Sequence, residues 1–156
     1  MDTSLNGQDI IAEHLLDVEM HDTQIFPATT GLICTMTAHA TENTWSAWAE
    51  IEDNTAETTI KLSAAFAANA GHISALVVEG CSEASKHYMF EISYGAAKVP
   101  IGAWRIISET NNLPVSQSPR CRGAEIPAGE TIYYRAMCET AGAKTATVHI
   151  RYFLHP

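Results

Sequence analysis

Two periodicities divide the chain. Between Asn6 and about Ile25 the apolar residues recur with the period of a helix: at about 100° per residue, Ile10, Ile11, His14, Leu15, Val18 and His21 fall on one stripe. Asn6 or Asp9 supplies an N-cap, and the carboxylates of Asp9 and Glu13 sit near the positive end of the helix dipole. Leu16 and Met20 extend the apolar surface onto a second flank, which is more than a helix lying against its own domain needs. The series Ile11, His14, Val18, His21, Ile25 also fits a short heptad seam. This helix is therefore expected to self-associate, with Ile11, His14, Leu15, Val18 and His21 at the oligomer interface. Phe26-Pro27 ends it, because the residue before a proline is pushed out of the α region and proline cannot continue the hydrogen-bond ladder.

After this boundary the period changes to two. About eight strand-like runs follow between Gly31 and His155, separated by polar or Gly/Pro breaks, which is the spacing of an all-β sandwich or barrel. Trp45, Ala47, Ala49 and Ile51 alternate against Ser46, Trp48, Glu50 and Glu52, which predicts a strand with Trp45 in the core and Trp48 facing outward. A short strand is expected over 58–62, and a loop with one turn of helix over 64–70. The run Ile73-Ser74-Ala75-Leu76-Val77-Val78, bounded by Gly71 and Gly80, predicts a buried central strand. In the next run Tyr88, Phe90, Ile92 and Tyr94 point inward. Pro100 and Gly102 make the strand over 98–107 an edge strand or mark a bulge. The last third of the chain reads as a β-hairpin. Pro127-Ala128-Gly129 is a tight turn into a strand with Ile132, Tyr134, Ala136 and Cys138 on one face, and the closing strand carries Val148, Ile150, Tyr152 and Leu154. The expected fold is mainly β, a jelly-roll-like antiparallel sandwich of about eight strands with one N-terminal α-helix. Residues 1–28 form the helix and arm, and residues 29–156 form the sandwich.

Composition changes this picture in two ways. At 17% charged residues, the 156-residue chain lies below the roughly 25% usual for globular domains, which leaves weakly polar surface suited to subunit contacts. The net charge of −9 and the lack of any Lys/Arg run argue against a nucleic-acid partner. No run of 18 apolar residues and no signal-peptide pattern occurs, so no membrane partner is expected and the protein is expected to be made in a cytoplasm. Cys34, Cys81, Cys121 and Cys138 show no zinc-ligand spacing and are expected to be reduced, buried thiols; a Cys121–Cys138 disulfide is the alternative.

Few residues fall in a pattern that carries chemistry. No Gly-x-Ser-x-Gly turn occurs, and the histidines are singletons on different strands. His149 and His155 share a strand face but lie about 20 Å apart by strand rise, too far to share an ion. His14 and His21 would meet their symmetry copies on an oligomer axis, where a packed contact is the expectation and a metal site the minor one. No catalytic residue, metal ligand or cofactor is expected. A loop over 111–123, the longest in the chain, and the outward Trp48 are the candidate contacts to a partner or glycan, through Trp48, Asn111, Asn112 and Gln117.

The order of these elements resembles short virion-associated proteins of tailed bacteriophages with an N-terminal helix and a β-sandwich. The matching pieces are the helix from Ala12 to His21, Trp45-Ser46-Ala47-Trp48-Ala49, and His72-Ile73 opening a buried strand. They continue with Tyr88 to Gly95, Ile126-Pro127-Ala128-Gly129, and Thr145 to Tyr152. The resemblance covers most of the chain. It implies a non-enzymatic structural protein of the virion, a capsid decoration or cement protein, with the major capsid protein or another virion protein as partner. A homotrimer is the favoured assembly. The alternative is a carbohydrate- or receptor-binding module of a tail fibre. The loop over 111–123 and the four cysteines depart from the family pattern.

Overall fold

The computed structural model describes residues 23–56, 58–108 and 123–155. Along the described residues run β1 (Gln24–Phe26), β2 (Cys34–Thr37), β3 (Ala49–Glu50), the helical turn α1 (Leu62–Ala65), β4 (Gly71–Cys81), β5 (Lys86–Tyr94), β6 (Val99–Ser108), β7 (Ile132–Cys138) and β8 (Thr145–Leu154). The protein is mainly β, built of two antiparallel sheets. In the first, β8 is central: β4 pairs along one side, while β1 and β2 share the other, β1 against residues 150–152 and β2 against residues 145–148. The second has the order β3-β7-β5-β6.

The alternation read from the sequence places the core. Tyr88, Phe90 and Ile92 of β5, Ile132, Ala136 and Cys138 of β7, and Val148, Ile150 and Tyr152 of β8 all point between the sheets and are buried. Trp104 joins them from β6, and Phe66, just after α1, packs its ring 5.4 Å from that of Tyr152. β6 is an edge strand. Its Pro100 lies opposite Ser93, where the register shifts, so the missing N–H falls at an irregularity in the ladder.

Four expectations are corrected. The helix expected over residues 6–25 lies almost wholly outside the described residues, with Ile11, His14, Leu15, Val18 and His21. At its expected end, however, Gln24, Ile25 and Phe26 are extended and paired with Tyr152, Arg151 and Ile150. Phe26 is buried in the core, a gain an exposed helix end would not give, and residues 24–26 are part of the first sheet. Second, β7 and β8 do not form a hairpin. The six residues between them carry the chain from one sheet to the other. Inward-facing residues at period two look the same whether two strands pair side by side or face each other across a core. Third, β4 is buried at Ala75, Leu76, Val77 and Val78 on both of its faces, yet among the described residues it pairs along its length only with β8. An unbroken apolar run reports burial of the faces and says nothing of neighbours in the ladder. Fourth, no strand forms over 58–62. Lys61 makes one bridge to Glu52, and Leu62 begins α1.

The turn at Pro127-Ala128-Gly129 is present as expected. The Gly129 N–H donates to the Phe66 carbonyl at 2.8 Å, docking the turn on the end of α1. Gly129 has φ of +79°, and a β-carbon there would have nothing within 4 Å. The cost of Gly129→Ala is therefore backbone strain alone, expected at about 1–2 kcal/mol and measurable from the urea midpoint of unfolding. Cys34, Cys81 and Cys138 are free, buried thiols. Burial pushes Cys34 up to about 12 and Cys81 up to about 11, which keeps them protonated and unreactive at neutral pH.

Candidate functional site

The outer face of the second sheet carries the expected contact residue Trp48. The segment around β3 runs along the edge of β7: Asn43 N–H donates to Cys138, Ser46 N–H to Ala136, and, just after β3, Ile51 N–H to Ile132. It is not the regular strand predicted over 45–51. The Ala136 N–H donates to the Ser46 hydroxyl instead of a backbone carbonyl, and this break resets the alternation. Trp45 and Trp48, three residues apart and expected on opposite faces, therefore both meet the Arg135 guanidinium, each ring centroid 4.7 Å from it. Trp45 is half-buried rather than part of the core, whereas Trp104 is buried.

Arg135 is held in this position from behind. Glu91, directly opposite on β5, accepts from its Nε at 2.7 Å and approaches Nη2 at 2.5 Å. The same face continues through the opposed pair Met89 and Met137, the pair His87 and Glu139 at 2.7 Å, and Tyr133 with Lys98 Nζ 3.2 Å above its ring. The hydrogen bond from His87 holds the Glu139 carboxyl below the usual carboxylate range. The result is a half-buried band of aromatic, thioether and paired charged groups with the makings of a contact face. Asn111, Asn112 and Gln117, expected beside Trp48, lie outside the described residues.

A second cluster lies at the far end of the first sheet, on its outer face. β4 begins at Gly71, which pairs with Leu154 on one side and bridges to Ile126 on the other, with N–H to carbonyl distances of 3.0 and 2.8 Å across the bridge. Continuing each antiparallel register by one residue sets His72 opposite Glu125 and places His155, whose N–H donates to Ala70, on the diagonal. The Nε2 atoms of His72 and His155 lie 4.0 and 3.5 Å from Oε2 of Glu125, and the three side chains offer ligand atoms all within 4.8 Å of one another. Phe153 stacks on His72 at 5.2 Å and meets His155 edge-on at 6.0 Å, so the two imidazoles are packed as well as paired. The convergence depends on Gly71 lacking a side chain: a β-carbon there would stand 2.2 Å from the Phe153 carbonyl oxygen.

Nothing in the spacing of His149 and His155 along one strand points to this set. Its members come from three segments, and only the register of β4 against both neighbours brings them together. His149 pairs instead with Glu79 at 2.8 Å.

By its fold the chain is a mainly β protein of two antiparallel sheets. Comparison with known proteins finds no matching family model, curated protein or solved structure. Among the described residues no helix is long and apolar enough to cross a membrane.

Proposed function

We propose that this chain is a structural protein of a phage virion, a capsid decoration or cement protein that stabilises the shell through subunit contacts and performs no catalysis. The observation that carries the reading is the strand order. Successive strands β2, β3, β4 and β5 alternate between the sheets, β7 returns between β3 and β5, and β8 returns between β2 and β4. This order supports the jelly-roll reading, an architecture common in viral capsid and lectin domains. The resemblance of the ordered sequence motifs to short virion-associated phage proteins adds to it. The band of Trp45, Trp48, Met89, Met137 and Tyr133 offers the surface for contact with the major capsid protein, and Ile11, His14, Leu15, Val18 and His21 offer the seam of a homotrimer. Many copies of a modest interface sum to a large stabilisation of a closed shell.

Light scattering on a sizing column at two concentrations, followed by co-sedimentation with shells of the cognate capsid protein, tests the reading. The expected results are a trimer, its loss on removal of residues 1–22, which leaves β1 in place, and pelleting with shells that Trp48→Ala weakens. A monomer that stays in the supernatant would overturn it. The second reading, a glycan- or receptor-binding fibre module, is favoured by the setting of Trp48, a half-exposed ring beside the paired Arg135 and Glu91. Binding on a glycan array that Trp48→Ala abolishes would decide for it.

A further inference from the structure

We propose that His72, Glu125 and His155 form a binding site for one divalent transition metal ion, with Zn²⁺ the best match. Two imidazole nitrogens and one carboxylate oxygen are a donor set that Zn²⁺ accepts, and water fills the fourth position of its tetrahedron. Bonds of about 2.0–2.1 Å place tetrahedral ligand atoms roughly 3.3 Å apart. The observed separations of the two imidazoles from Glu125, 3.5 and 4.0 Å, are near that figure, and the whole set lies within 4.8 Å. Closing the set takes rotation of the two half-exposed imidazoles toward each other and a small approach of Glu125, the most exposed of the three side chains, on a segment outside the strands.

Two further features fit an ion rather than a chance meeting of polar groups. Nδ1 of His72 lies 3.2 Å from the Gly123 carbonyl. Donating a proton there fixes the tautomer that leaves the Nε2 lone pair directed at Glu125, the outer-shell arrangement found around metal-bound histidines. The scaffold is also rigid where it matters, since His72 and His155 are held by the β4–β8 ladder and by Phe153. An ion here would fasten the segment around Glu125 to the joined ends of β4 and β8.

The test is calorimetric titration of the chelator-stripped full chain with Zn²⁺, and with Co²⁺ for its visible spectrum. One saturable site per chain is expected, together with a raised melting temperature and a Co²⁺ spectrum of low coordination number. His72→Ala, His155→Ala and Glu125→Gln are each expected to weaken binding by at least about ten-fold, since even outer-shell losses cost 10–100-fold. The control His149→Ala leaves binding unchanged. As a check independent of variant folding, proton–nitrogen spectra of the wild-type imidazoles should show the Nε2 signals of His72 and His155 moving with Zn²⁺ while those of His87 and His149 stay. Absence of saturable binding, or binding that moves other histidines or survives His72→Ala, would overturn the assignment.

Discussion

Replacing Phe90 by alanine is expected to destabilise the protein by about 3–5 kcal/mol, the usual cost of deleting a large buried aromatic side chain. Phe90 is 0% exposed at the middle of β5. Its neighbours across the ladders are Trp104 on β6 and Ala136 on β7, and its ring lies nearly parallel to that of Tyr88, with centroids 6.2 Å apart. The sheets hold the cavity walls apart, so the space cannot collapse, and lost contacts add to the lost transfer energy. Urea unfolding followed by tryptophan fluorescence measures the effect. A loss below about 1 kcal/mol would mean that the two sheets do not close on Phe90 as described.

Asp53 gives the second large effect, and it carries a pH dependence. The carboxylate is 5% exposed and accepts the backbone N–H groups of Ile60 at 2.9 Å and Thr55 at 3.0 Å, tying together the loop that the Glu52–Lys61 bridge closes. Asp53→Ala leaves those donors without an acceptor and is expected to cost about 1–3 kcal/mol. Burial alone would raise the pKa of this group, but the two backbone donors outweigh it and hold the carboxyl below its ordinary value. The folded carboxyl is then more acidic than the unfolded one, at about 3.9. Its contribution is complete above that pH and is lost as the pH falls through it towards the folded value. Between pH 6 and about 3 the wild type is therefore expected to lose more stability than Asp53→Asn, which keeps the shape and one acceptor oxygen but cannot titrate. Parallel unfolding curves for the two proteins across that range would refute the assignment.

Much of the fold can be read from residue patterns because each strand reports its own faces. Tyr88, Phe90 and Ile92, or Val148, Ile150 and Tyr152, alternate with polar neighbours whatever lies beside them, and burial follows directly. Pro100 marks an edge because its missing N–H cannot serve a ladder on both sides, and Gly129 marks a turn because φ there is positive. The sites are a different matter. The clamp of Trp45 and Trp48 on Arg135 needs the break at Ser46, a hydrogen bond between segments 90 residues apart in the chain. No local pattern predicts it.

The sequence by itself determined that this is a β-protein, that β5, β7 and β8 are two-faced strands, that a turn falls at Pro127-Ala128-Gly129, and which side chains those strands send into the core. Those properties depend on local backbone preference and on removal of apolar groups from water, and both act residue by residue. Only the tertiary structure decided which strands are neighbours: that β7 and β8 face each other across the core, that Gln24–Phe26 is a strand beside β8, and that His72, Glu125 and His155 meet around Gly71. Pairing and register are long-range choices among strands with the same period, and the energy that selects them lies in contacts between residues tens of positions apart, which periodicity along a single chain does not encode.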